Sequence, residues 1–162
     1  LFTPQANLTE LSMQANNATS NNAIAFTYEK LRFEGQDITK PWQAFIDIVA
    51  LFTIKVGARL LYQEDHFPIV EFGRDVRDWL DSGFLLHSDF IYNSVEWEEP
   101  GIVKILSTEG GRWHISAFFE LYTEIRTFDD DAVKVVGENF LTTLREDLQA
   151  KFDIQELPTI PT

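Results

Sequence analysis

The chain has 162 residues, 44% hydrophobic and 14% aromatic, with 26 acids against 13 bases, a net charge of −13 and no cysteine. This excludes a disordered chain, which lacks the apolar side chains for a core, and a disulfide scaffold or thiolate metal site. So acidic a surface also disfavours nucleic acid and anionic membranes, whose recognition needs lysine and arginine against phosphate.

The length fits one domain. The longest apolar run, residues 44–54, is cut by Asp47 and Thr53 and falls short of the roughly 18 residues of a membrane span. Residues 64–162 hold 21 of the acids and 8 of the bases, so the excess sits in the last hundred residues. That field favours a basic partner, although acidic composition serves solubility as well.

Residues 1–22 are polar, with Glu10 as their one charge and asparagines at 7, 16, 17, 21 and 22. They read as a flexible or loosely docked arm. Asn7-Leu8-Thr9 and Asn17-Ala18-Thr19 match the glycosylation acceptor tripeptide, a pattern met often by chance. The basic start and apolar stretch of a secretory signal are missing from this segment, and with the lack of cysteine this points to the cytoplasm.

The domain is expected over residues 23–153, with an extended tail over 154–162. Residues 23–34 are rich in aromatic and β-branched types and predict a strand. Residues 43–50 are also apolar and β-prone. Residues 52–62 alternate, with Phe52, Ile54, Val56, Ala58, Leu60 and Tyr62 on one face, as a half-buried antiparallel strand does. The two stretches are read as one continuous strand region.

Over 67–82 the period changes. Ile69, Phe72, Gly73, Val76, Trp79 and Leu80 form the stripe of an amphipathic helix. Pro68 suits its first position and Gly83 the residue past its end. Glu71, Arg74, Asp75, Arg77, Asp78 and Asp81 fall on the other, solvated face, with Arg74/Asp78 and Arg77/Asp81 spaced i, i+4.

Strands follow at 85–97, 102–107 and 112–126, separated by Glu98-Glu99-Pro100-Gly101 and Glu109-Gly110-Gly111. In the last strand Trp113, Ile115, Ala117, Phe119, Leu121 and Ile125 share one face. Thr127 with Asp130 resembles a capping box opening a final helix to about residue 152, with Val133, Val136, Phe140, Leu144, Leu148 and Phe152 as its stripe. The expected fold is α+β: an antiparallel sheet of about five strands, ordered β-β-α-β-β-β-α, with two helices on one face.

Chemistry-bearing patterns are sparse. His66, His87 and His114 fall in no metal-ligand spacing. His87 and Asp89, two apart, would share one face of a strand, where an edge hydrogen bond is a plainer role than metal ligation. The serines sit in no nucleophile motif. Pairs such as Glu96/Glu98 and Glu120/Glu124 arise freely among so many acids. Aromatics interleaved with carboxylates stand out more. Glu96, Trp97, Glu98 and Glu99 form one such run, and Phe118, Glu120, Tyr122 and Glu124 share one face of the last strand. Aromatics supply desolvated anchors and acids steer a basic partner, so these eight residues form the expected partner-binding patch. No catalytic residue, metal or cofactor is expected.

Residues 51–80, LFTIKVGARLLYQEDHFPIVEFGRDVRDWL, and 90–120, FIYNSVEWEEPGIVKILSTEGGRWHISAFFE, resemble small bacterial proteins that look like immunity proteins of polymorphic toxin systems. The likeness lies in core and turn residues and carries over no catalytic position. It implies a non-enzymatic role, neutralising a basic toxin or nuclease by binding it. Two other readings fit the same residues: a small-molecule-binding or hydrolytic domain in the sheet concavity, and a homodimer using its aromatic face.

Overall fold

Pro41 pre-sets the backbone dihedral of a first helical turn, and in the computed structural model it opens a helix that runs to Asp47, into the stretch over 43–50 expected to be extended. The structure describes residues 23–118 and 126–158. The arm over 1–22 lies outside them, as does the end of the tail.

Strand β1 (Ile24–Phe33) is followed by helix α1 (Pro41–Asp47), β2 (Ile48–Val56), β3 (Arg59–Phe67) and helix α2 (Ile69–Asp78). A π-helical turn (Trp79–Gly83) and a 3-10 turn (Phe84–Leu86) continue α2. Then come β4 (Phe90–Tyr92), β5 (Val103–Thr108), β6 (Arg112–Ala117), β7 (Thr127–Phe128) and helix α3 (Asp130–Phe152). The class is α+β with antiparallel pairing throughout. The single sheet is corrected to two, in the orders β1-β2-β3 and β4-β5-β6-β7. The two expected helices become three among the described residues.

The alternation over 52–62 spans a hairpin, not one strand. Gly57, at φ 60°, turns the chain between β2 and β3, a conformation glycine adopts without a Cβ clash. Phe52, Ile54 and Tyr62 do point into the core, but Thr53 is buried too. β2 is the middle strand of its sheet and is covered at nearly every position.

Strand 85–97 shrinks to Phe90–Tyr92, because the helical path runs on to Leu86 and stops at His87, whose φ is 51°. Gly83 does not end that path. A Cβ there would sit 2.5 Å from the Trp79 ring, so glycine is needed for the indole's approach. β6 stops at Ala117, and 119–125 lie outside the described residues. The last helix is capped by Asp129, whose side chain accepts the Ala132 N–H at 2.8 Å. Thr127, expected in that role, instead accepts from Arg112 Nε at 2.8 Å.

One aromatic core joins these layers. The Phe72 ring lies 5.0 Å from Phe52, 5.1 Å from Tyr92 and 5.4 Å from Phe140, so α2 meets β2, β4 and α3 at one side chain. The helices approach closely at two glycines. A Cβ on Gly73 would lie 2.6 Å from Leu144, and one on Gly137 would lie 2.9 Å from Leu80.

Candidate functional site

Glu71 is assigned by helical period to the solvated face of α2, but it is only 1% exposed. The loop after β4 folds over it. Its carboxylate accepts the Val95 N–H at 2.9 Å and the Ser94 hydroxyl at 3.2 Å. Ser94 Oγ in turn accepts the Glu96 N–H at 3.2 Å. At the loop's other end Gly101, at φ 71°, donates its N–H to Asn93 Oδ1 at 2.7 Å. A buried carboxylate must have its oxygens satisfied to be tolerated, and here the loop does this with the Val95 backbone and the Ser94 side chain. The loop is thereby pinned between α2 and β5.

The pinned loop presents the first half of the expected patch. The Trp97 indole packs edge-to-face on Phe67, 6.1 Å between centroids. Glu64 of β3, Glu96, Trp97, Glu98 and Glu99 line an open hollow of about 420 Å³. Glu64 is an addition that period alone does not single out: the QEDH run of residues 63–66 breaks the apolar alternation, and the fold brings it opposite the loop.

Two of the hollow's carboxyls are shifted, chiefly by burial and then by acids outside the hollow. Burial pushes the Glu96 carboxyl above the ordinary glutamate value, and the charges of Asp47 and Glu34 add to the shift. Burial raises Glu64 as well, with Asp65 adding and His66 opposing.

The neighbouring bases are committed elsewhere. Arg32 donates to Glu34 at 2.8 Å and to Asp65 at 3.1 Å. His66 Nδ1 lies 3.0 Å from Glu34 Oε2. These hydrogen bonds, His66 first, hold Glu34 below its usual range. His66 and Lys30 both have φ 55°, at irregularities of β3 and β1. Non-glycine residues in that region are uncommon and concentrate at functional positions.

The second half of the patch is not assembled in the same way. Phe118 is 46% exposed and donates its N–H to Ile102 O at 2.9 Å, beyond the loop's far end. It does not line the hollow. Glu120, Tyr122 and Glu124 lie outside the described residues.

The other candidates disperse. His87 stacks on Trp113, 5.3 Å between rings, while Asp89 Oδ1 accepts the Ser107 N–H at 2.8 Å. The pair therefore shares no strand face. His114 Nδ1 lies 3.2 Å from Arg126 O. Arg74 and Arg77 pair with their sequence neighbours Asp75 and Asp78 at 2.8 and 2.7 Å, not at i, i+4. Among the described residues no three histidines or carboxylates are placed to hold a metal ion. No helix among them is long and apolar enough to cross a membrane.

A family model described as a domain of unknown function, DUF7878, matches residues 24–150. No curated protein and no solved structure matches the chain.

Proposed function

The chain belongs to the DUF7878 family, and we propose that it is a non-enzymatic cytoplasmic binding domain for a basic protein, acting as an immunity-type inhibitor of a basic toxin or nuclease. One observation carries this reading: the hollow around Trp97, where four glutamates converge and two of them are held above their ordinary protonation range. Acids gathered at one surface attract cationic side chains. An indole beside them offers a ring face for arginine or lysine and the kind of anchor that dominates interface energies.

A nuclease site attracts phosphate, so an acidic surface competes for it by charge. Such an inhibitor covers about 800 Å² per partner, and the hollow with exposed Val95 and Phe118 supplies an acidic, partly apolar start to that area. Steering by charge predicts fast association that slows steeply with salt.

The test is capture from the source lysate at low and high salt, with the wild type beside a Glu96→Lys, Glu98→Lys, Glu99→Lys variant. The proposal expects a basic protein on the wild type at low salt, released by high salt and absent from the variant. Capture indifferent to the charge reversal, or none in either condition, counts against it.

A further inference from the structure

A second hollow lies at the outer edge of the β1-β2-β3 sheet. Gly57 donates its N–H to Ala23 O at 2.7 Å. In antiparallel pairing alternate residues then turn their main-chain groups to the partner strand. Ala23, Ala25 and Thr27 face β2, so Ile24, Phe26 and Tyr28 aim their N–H and C=O groups at the edge. Among the described residues β1 pairs with β2 alone.

Open edges are templates for another strand unless charge, a bulge or a covering element blunts them. The second half of β1 is blunted: the register shifts between Glu29 and Arg32, and Lys30 sits at φ 55°. The first half, Ile24–Tyr28, carries no charge. Beside it runs α3, and the two enclose an apolar groove of about 540 Å³. Val135, 52% exposed, lines its wall with Asn139 and Thr143. The strand side offers room for about five or six extended residues.

The charge that lines this groove is acidic, and Lys151, one turn beyond Asp147, is already bonded to the Leu31 carbonyl of β1. Asp147 is the charged residue that lines the groove, accepting the Tyr28 hydroxyl at 2.6 Å. Glu146 is close enough to act on the same hydroxyl. The Ala23 end is lined without charge. We propose that this groove takes an extended segment of a partner protein, paired antiparallel to β1. Its alternate apolar side chains rest against α3, and a lysine or arginine at its N-terminal end lies beside Asp147 and Glu146. A second copy of the chain fits less well, because each copy brings a net charge of −13. This surface is separate from the Trp97 hollow and does not depend on it.

The probe is the blocked peptide acetyl-Arg-Thr-Val-Thr-Val-Thr-amide, added to the full ¹⁵N-labelled chain at about 1 mM, with amide exchange read residue by residue. The Ile24, Phe26 and Tyr28 amides should exchange quickly in the free chain and slow severalfold with peptide. The counterpart with glutamate in place of arginine should bind about fivefold more weakly. Val135→Arg, at a half-exposed position, should remove the protection and leave the rest of the spectrum in place. Glu98→Lys with Glu99→Lys should leave it unchanged.

Exchange unaffected by peptide overturns the proposal, as does protection that survives Val135→Arg. Slow exchange in the free chain also overturns it. Dependence on protein concentration would then identify a second copy as the cover, and independence another part of this chain.

Discussion

Glu71 Oε1 and the Val95 N–H meet at 2.9 Å across 24 residues of sequence. Through this contact a carboxylate in the first turn of α2 sets where Trp97 and its glutamates stand. The hydrogen bond belongs at once to the core and to the proposed binding surface.

Removing that carboxylate while keeping its shape should separate the two roles. Glu71→Gln keeps an acceptor for Val95, whereas Glu71→Ala leaves a buried N–H and hydroxyl unpaired. The alanine variant should lose about 1–3 kcal/mol of stability and the glutamine variant clearly less. Urea unfolding measures both, and equal losses would show that the contact with the loop is not what Glu71 supplies.

Stability should also peak at mildly acid pH. Burial raises the carboxyls of Glu64, Glu71 and Glu96. For Glu71, opposing influences come from the bonds of Val95 and Ser94 and from Arg74, while Asp75 adds to the rise. An acid with a raised native pKa binds its proton more tightly folded than unfolded. Its contribution is therefore present at low pH and lost as pH rises through the native value.

Glu34 and Asp65 are lowered, Glu34 by His66 first and Asp65 by the His66 N–H first. Their contribution is present at neutral pH and lost as pH falls through and below the ordinary carboxyl range. The urea midpoint should rise from pH 7 to about pH 5 and fall below about pH 4. Glu71→Gln should flatten the rise and leave the fall in place.

The α2–α3 approach predicts a coupled pair. Gly73→Ala forces a methyl toward Leu144 and should destabilise by about 1–3 kcal/mol. Combined with Leu144→Ala, which opens that space, the loss should be less than the sum of the singles. Additive losses in denaturant unfolding would mean that the glycine serves something other than this packing.

Legibility in the sequence followed the reach of the interactions. α3 is legible because its stripe from Val133 to Leu148 repeats at helical spacing and is buried as such. The β2–β3 hairpin is hidden because Gly57-Ala58 lacks the asparagine or aspartate that marks most two-residue turns. Val56 and Leu60 also carry the alternation past the turn. Helix α1 is hidden in an apolar stretch with β-prone composition, where Pro41 is its main signal.

In the site, Glu96, Trp97, Glu98 and Glu99 are legible as a local run of acids around an indole. Glu64 and Glu71 are not, since their roles come from a loop that arrives from 24 or more residues away. A solvated helix face and a face covered by a distant loop have the same periodicity.

Binding of cations in the Trp97 hollow is read most directly by titrating the full ¹⁵N-labelled chain with a short arginine-rich peptide, at low and high salt. Binding there should give shifts concentrated at Glu64 and from Val95 to Glu99, lost at high salt and absent when Glu96, Glu98 and Glu99 are replaced by glutamine. Shifts centred elsewhere, or unchanged by those substitutions, would contradict it.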